Sequence, residues 1–340
     1  MMEKLQEILT STKGITHHHW PILQHEIPVI TISGTSDGPT LMISGLLHQD
    51  ELIGPAVFDK LLNGQFNPKP LKGNIVILPI VSTYQVGLWR GFEYFHDAAS
   101  ATEREKLKGG KKIVNANRFF PGKPEGEWME KFSYEITENF IKNADVVLDF
   151  HNCRLIDGCF AACSNSHEES IALANSMGMD FIDLQNDSSM FSQTMYLQAS
   201  KINKTALLLE FPGYQEQSCE SSTDRAYNSL LNAMKFLKMI PGELKPQPST
   251  FFKREEKAES IISEDYGHFS SRVKNGQTCQ KGDILGVLRN LNDFTISKKF
   301  IAPFSGACAS IGPSNGYSII KPGDEIATYK KYYTLNEVLK

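Results

Sequence analysis

The stretch Thr40-Leu-Met-Ile-Ser-Gly-Leu-Leu-His-Gln-Asp-Glu51 joins an apolar run to two residues of metal-binding type. Thr40 to Gly45 predicts a buried strand, and apolar residues at helical spacing from Leu52 to Leu62 predict a helix after it. His48 and Glu51 lie between the two, three residues apart, where an imidazole and a carboxylate can share one divalent cation. Zinc suits these ligands, although a single pair at this spacing is a weak signal.

Two further apolar runs end on residues of the same types. Ala144-Asp-Val-Val-Leu-Asp-Phe-His151 ends on a histidine, and Thr205-Ala-Leu-Leu-Leu-Glu210 ends on a glutamate. Two histidines and one glutamate leave the fourth tetrahedral position of zinc open, which is typical of a catalytic site. We therefore predict one Zn²⁺ per chain on His48, Glu51 and His151, with Glu210 as the general base.

Two other groups of residues offer alternative ligands. Cys153 falls on the same strand face as His151 and remains a candidate ligand or nucleophile. The triplet His17-His18-His19 resembles a metal-binding tract, but no carboxylate stands at ligand spacing in the sequence. We interpret the triplet as a solvated turn, with the lining of the site as the alternative.

The order of predicted elements indicates the fold class. A strand, a helix and a strand, the last from Gly73 to Ile80, form a βαβ unit, which implies a largely parallel sheet. Beyond a proline-rich linker, short apolar runs and glycine turns such as Lys281-Gly-Asp-Ile-Leu-Gly286 indicate an all-β module. We predict an α/β fold with a mixed, largely parallel sheet flanked by helices, plus a small all-β domain. The predicted boundaries are 1–240, 241–249 for the linker, and 250–340.

Residues 81–126 contain no long periodic element, and long loops within compact domains are usually functional. The loop includes Arg90 and the run Asn115-Ala-Asn-Arg118. An amide beside a rigid guanidinium can hold a substrate carboxylate. We predict substrate binding by Asn115, Asn117 and Arg118; without a metal site, a surface salt bridge would be the simpler interpretation of Arg118.

Composition excludes several classes of function. The 340-residue chain is 41% hydrophobic and 22% charged, and its net charge is 35 − 39 = −4. This balance favours neither nucleic acid nor an acidic membrane surface. No apolar run approaches the roughly 20 residues that a membrane span needs. With an acidic first helix and six cysteines that form no C-x-x-C pair, we expect a cytoplasmic protein with reduced thiols.

The motifs together resemble the succinylglutamate desuccinylase/aspartoacylase family, which is related to the zinc carboxypeptidases. They are His48-x-x-Glu51, Asn115-x-Asn-Arg118-x-x-Pro-Gly122, Asp149-x-His151-Asn152 and Glu210-x-Pro-Gly213. The likeness covers almost the whole chain, because the C-terminal turns resemble the β-barrel-like domain of these proteins. That domain is similar to biotinyl and lipoyl carriers, but no lysine stands in a carrier-type Met-Lys-Met context, so we expect no attached cofactor.

The resemblance implies a role for each of these residues. Zinc would be held by His48, Glu51 and His151, and Glu210 would be the base and proton shuttle. Asn117 and Arg118 would hold the substrate carboxylate. It also implies an arginine that polarises the scissile carbonyl. Arg90 is the nearest upstream arginine with the right loop context, and Arg104 is the second candidate. Asp149 is expected to contact a metal ligand without binding the metal itself, or to orient the loop.

Three departures from the family pattern bear on specificity. Gln49 replaces a glycine after the first histidine, and Asn115 stands where an acidic residue is common. The segment before the base offers Tyr196, Lys201 and Lys204 but no arginine to read an acidic side chain. Tyr196 is the predicted substrate-binding residue there, and the sequence does not indicate specificity for N-acyl-aspartate or succinylglutamate.

Three functions follow from these residues. The leading prediction is a zinc hydrolase that removes the acyl group from a small N-acyl amino acid or related amine. A metallocarboxypeptidase acting on short peptides would use the same residues, and a non-catalytic binding protein is the third alternative. The C-terminal domain could cap the site or join subunits, which leaves a homo-oligomer open.

Overall fold

A computed structural model describes residues 5–11, 14–83, 86, 115–153, 158–189, 191–213, 219–244, 249–311 and 317–340. The chain divides into two compact units. Unit 1 comprises Met1–Asn152, Asp187–Leu209 and Gly213–Leu244, and unit 2 comprises Cys153–Asn186, Glu210–Pro212 and Lys245–Lys340. The domain boundaries given above remain a prediction.

The described helices are short, with one longer exception near the end of unit 1. They are Leu5–Ser11 (α1), Ile53–Lys60 (α2), Trp128–Ile136 (α3), Glu168–Ser176 (α4), Met195–Lys201 (α5), Glu220–Phe236 (α6) and Leu335–Val338 (α7). Single π-helical turns, Leu61–Gln65 and Thr137–Ile141, extend α2 and α3, and a 3₁₀ turn spans Ala116–Arg118.

Six strands of the largest sheet lie wholly or mostly in unit 1. They are Gly14–Ile22 (β1), His25–Ser33 (β2), Ser36–Ser44 (β3), Lys72–Leu78 (β4), Val146–Cys153 (β5) and Thr205–Pro212 (β8). The order is β1-β2-β4-β3-β5-β8. The β3/β4 and β3/β5 pairs are parallel, whereas β1/β2 and β2/β4 are antiparallel. The predicted mixed sheet is confirmed.

Burial along these strands follows their place in the sheet. Val146 to Asn152 of β5 are all buried, as expected for a parallel strand covered on both faces. The first strand, β1, lies at the edge and alternates between more and less exposed residues. The interpretation of His17-His18-His19 as a turn was wrong, because the triplet pairs with β2 in regular antiparallel register.

A close backbone contact fixes the connection between β3 and α2. A Cβ atom on Gly45 would lie 2.9 Å from Gly54 Cα, and one on Gly54 would lie 2.6 Å from Gly45 Cα. Phe58 of α2 packs edge-on against Phe150 of β5, with 5.6 Å between ring centroids. The turn that carries His48 and Glu51 is thus held between a strand end and a helix that rests on the sheet.

Unit 2 combines three strands that pair in parallel with two antiparallel sheets. Its strands are Phe160–Ser164 (β6), Phe181–Gln185 (β7), Thr250–Lys253 (β9), Glu259–Ile262 (β10), Gly267–Ser271 (β11), Thr278–Cys279 (β12), Ile284–Arg289 (β13), Ile296–Ile301 (β14), Gly306–Ile311 (β15), Tyr317–Ile320 (β16) and Glu325–Lys330 (β17). Strands β6, β7 and β9 pair in parallel. The others form the four-stranded sheets β10-β17-β15-β12 and β14-β13-β11-β16.

The two four-stranded sheets share one apolar core. Phe269, Leu288 and Phe300 come from one sheet, and Cys308 and Tyr329 come from the other. All these side chains are buried. The predicted all-β, sandwich-like C-terminal region is confirmed.

Candidate functional site

Neighbouring parallel strands bring the predicted metal ligands together. Strand β5 pairs with β3 so that Asp149 lies opposite Ser44. Because both strands point the same way, His151 lies beside the turn that follows β3. Ligand atoms of His48, Glu51 and His151 fall within 4.8 Å of one another. Within the described residues, this is the one group of three or more such side chains close enough to hold a metal ion.

The hydrogen bonds of the group show which ring nitrogens face inward. His48 Nδ1 lies 2.9 Å from Glu51 Oε1, and His151 Nδ1 lies 2.7 Å from Glu51 Oε2. On the outer side, His48 Nε2 contacts Asn115 Oδ1 at 2.9 Å, and His151 Nε2 contacts Asp149 Oδ2 at 2.7 Å. Both Nδ1 atoms therefore converge on the Glu51 carboxylate. The Nε2 atoms face away from it and contact Asn115 and Asp149.

Burial and charge set the ionisation of this group. Burial works to raise the pKa of the Glu51 carboxyl, but His151 and His48 outweigh it and bring that pKa to about 2. Burial works to lower the pKa of His151, yet Asp149 and Glu51 hold it well above its usual value. Without a metal ion, the two carboxylates therefore favour the charged form of the His151 ring.

These residues fit a divalent cation. Imidazole and carboxylate are ligands of zinc, and three protein ligands leave one position for water or substrate. A ligating histidine usually donates its second ring N–H to a carboxylate or carbonyl, as His151 and His48 do here toward Asp149 and Asn115. Asp149 is fixed in turn by the Ser44 hydroxyl, which donates to Oδ1 at 2.7 Å.

The side chain of Asn117 is buried next to this group and is held there by hydrogen bonds within the protein. Only 1% of the residue is exposed. Its Oδ1 accepts a hydrogen bond from the backbone N–H of Met195 at 2.7 Å, and its Nδ2 donates to Asp149 Oδ2 at 3.4 Å. Both ends of the amide are thus engaged inside unit 1. Its backbone N–H donates to Asn115 Oδ1, the atom that also contacts His48.

Arg118 is the half-buried cation beside Asn117. Its Nη1 donates to the carbonyl of Asn117 at 2.6 Å, and its guanidinium lies 4.9 Å from the ring centroid of Phe191. Burial lowers the pKa of Arg118, and the nearby Tyr196 opposes that change. No ion pair among the described residues includes Arg118, so its charge has no carboxylate partner there.

The remaining predicted residues are placed as follows. Tyr196 lies in α5 and is 1% exposed. Glu210 is half-buried near the end of β8. Cys153 is the last residue of β5 and is not part of the His-Glu-His group. Arg90 and Arg104 lie outside the described residues.

Sequence reasoning missed three contacts of the site. Phe191 gives the face on which the Arg118 guanidinium lies, and the Met195 N–H orients Asn117. Neither carries a signal in the sequence, because one is an ordinary aromatic residue and the other acts through its backbone. Ser44 had one faint signal, as a polar residue at the end of an apolar strand.

The sequence model of the succinylglutamate desuccinylase/aspartoacylase catalytic domain matches residues 37–237. The chain belongs to this family. The matched residues include the whole His48, Glu51 and His151 group as well as Arg118 and Glu210. The resemblance inferred from the motifs is confirmed.

One relative matches this desuccinylase/aspartoacylase family member over part of its sequence. It is 32% identical over 127 residues to the N-alpha-acetyl-L-2,4-diaminobutyric acid deacetylase of Halomonas elongata. That match covers 37% of this chain and 32% of the deacetylase, so the chain matches about a third of that relative's length.

Solved structures share the fold. A succinylglutamate desuccinylase from Silicibacter sp. TM1040 gives a TM-score of 0.63 at 22% identity and covers 95% of this chain and 96% of its own. The product-bound ectoine utilization protein EutE (DoeB) from Ruegeria pomeroyi gives 0.61 at 22% identity, with 94% and 96% covered. At these identities the likeness shows the fold alone. None of the helices in the described part of the chain combines the length and the hydropathy that a membrane-spanning helix requires.

Proposed function

We propose that this protein is a zinc-dependent hydrolase that removes the acyl group from a small N-acyl amino acid or a related N-acyl amine. The observation that carries the proposal is the convergence of His48 Nδ1, His151 Nδ1 and the Glu51 carboxylate, with both Nε2 atoms held from outside. Membership of the desuccinylase/aspartoacylase family supports it, and so does the name of the Halomonas elongata relative.

One zinc ion per chain would be held by His48, Glu51 and His151. When bound, zinc supplies a Lewis acid for the substrate carbonyl and lowers the pKa of water to about 7. Asp149 and Asn115 keep the two imidazoles in the tautomer and orientation that turn Nδ1 toward the site.

Arg118 is the residue proposed to bind the substrate carboxylate. A half-buried guanidinium that stacks on Phe191 and has no acidic partner among the described residues can accept a carboxylate through two N–H donors. Asn117 has both ends of its amide engaged within the protein. We therefore infer that Asn117 mainly positions Asp149 and the start of α5, whereas Asn115 positions His48.

The proton transfers are proposed for Glu210. Its carboxylate takes a proton from water as the new C–O bond forms at the amide carbonyl. It then gives that proton to the nitrogen as the C–N bond breaks, which releases a carboxylate and an amine. Arg90 is the proposed donor to the carbonyl oxygen, and Tyr196 the proposed substrate contact in α5.

The substrate class follows from the charges available for recognition. Arg118 suits the α-carboxylate of an acylated amino acid, and the segment from Met195 to Lys204 contains no second arginine for an acidic side chain. A neutral or basic side chain is therefore favoured, as in the diaminobutyrate derivative named for the relative. A carboxypeptidase acting on short peptides is the second candidate, because the same guanidinium would hold a peptide C-terminus.

The test is amine release by zinc-loaded protein from N-acetyl and N-succinyl amino acids, acetylated diamines and dipeptides. The expected result is release from acyl amino acids, with Glu210→Gln retaining zinc but losing turnover. Release from dipeptides alone would favour the carboxypeptidase. Failure to release amine from any of them, or full turnover by the variant, would contradict the proposal.

A further inference from the structure

The histidine triplet forms part of an exposed edge strand. His17 and His19 are exposed residues of β1, whereas His18 is half-buried. Side chains alternate along a strand, so His17 and His19 share one face and His18 occupies the other. On that other face His18 Nε2 lies 2.8 Å from the Thr16 hydroxyl, which lies 2.6 Å from the Thr31 hydroxyl.

We propose that His17 and His19 form a second metal site on this strand, one that takes Zn²⁺ or another imidazole-binding transition metal. Cβ atoms two residues apart on one strand face are separated by roughly 6.5–7 Å. Two imidazoles at that separation can lean together so that each places a nitrogen about 2.0–2.1 Å from one ion. Both residues are exposed, so the surface leaves room for those rotamers.

A carboxylate on the adjacent strand supports this assignment. Glu26 Oε2 lies 3.6 Å from His19 Nδ1, and the β1/β2 register places Pro28 opposite His19 and Glu26 opposite Pro21. A metal-ligating histidine commonly has its second ring nitrogen turned toward a carboxylate, which leaves Nε2 for the ion. The diagonal His19–Glu26 pair gives His19 that arrangement.

The strand order separates this site from the His48, Glu51 and His151 group. Two strands, β2 and β4, lie between β1 and β3. At about 4.8 Å per strand, roughly 14 Å of sheet lies between β1 and the strand that leads to His48. The two histidines provide two protein ligands, so water or a small solute completes the coordination. The site therefore exchanges its ion more readily than one with three protein ligands.

The test compares the wild-type protein with His17→Gln/His19→Gln and with His18→Gln as the matched control. Each protein is dialysed against buffered Zn²⁺ over a range of free concentrations, and bound zinc per chain is measured. We expect the double variant to hold one ion fewer than the wild type and the control to hold the same number. Amine release and the midpoint of thermal unfolding should be unchanged in the double variant.

Two outcomes would overturn the proposal. One is equal zinc binding by the wild type and the double variant at every concentration. The other is loss of the same ion from His18→Gln, which would indicate diffuse binding by surface histidines. Because the measured quantity is a difference of one ion, the result does not depend on whether the deacylase proposal holds.

Discussion

Replacing Asn117 by alanine distinguishes a role in substrate binding from a role in positioning Asp149 and the start of α5. The substitution removes the acceptor of the Met195 N–H and the donor to Asp149, both inside unit 1. Leaving a buried N–H without its partner costs about 1–3 kcal/mol. At about 2.1 cal/mol/K of unfolding entropy per residue, a chain of 340 residues loses about 1.4 °C per kcal/mol, so the midpoint of thermal unfolding should fall by about 1–4 °C.

The same change should weaken the metal centre through Asp149. Asp149 keeps its contact with His151 Nε2 but loses one of the groups that orient it. Loss of such outer contacts typically lowers metal affinity or activity by about 10–100-fold. We expect zinc affinity, measured by competition with a chromophoric chelator, to fall toward the lower end of that range, and kcat to fall more than KM rises.

Arg118→Ala provides the contrast, and Asn63→Ala the control. Arg118 is half-buried and its described polar contact is the neighbouring Asn117 carbonyl, so its loss should raise KM with little change in the unfolding midpoint. Asn63 is an exposed asparagine whose amide contacts Asp59, and its replacement should change stability by less than about 0.5 kcal/mol. A rise in KM for Asn117→Ala with unchanged midpoint and zinc affinity would refute the positioning role.

Two further predictions concern the same region. Asp149→Asn should lower zinc affinity by about 10–100-fold, because a neutral amide replaces the carboxylate facing His151 Nε2; unchanged affinity in the chelator competition would contradict this. Gly45→Ala should destabilise the protein by about 1–3 kcal/mol in denaturant unfolding, since its Cβ would lie 2.9 Å from Gly54 Cα; a variant as stable as the wild type would show that α2 can move away without cost.

The strand ends were accessible to sequence reasoning because their signals are local. The apolar runs before His48, within β5 and before Glu210 correspond to β3, β5 and β8. The start of α3 is also set locally, because Glu127 and Glu130 form a capping box there. The error at His17-His18-His19 arose because polar residues on an edge strand lack the apolar alternation by which strands are recognised.

By itself, the sequence determined the family, the fold class and the residue types of a metal site, because strand periodicity, turn residues and motif spacing are encoded over a few neighbouring positions. Only the tertiary structure decided which ring nitrogens of His48 and His151 face Glu51. It also decided that the side chains of Asn115 and Asn117 are engaged in hydrogen bonds within the protein. Those facts depend on the parallel register of β3 and β5, which joins residues about a hundred positions apart. Hydrogen bonds between such distant residues leave no periodic trace in the chain, so they become visible only once the strands are paired.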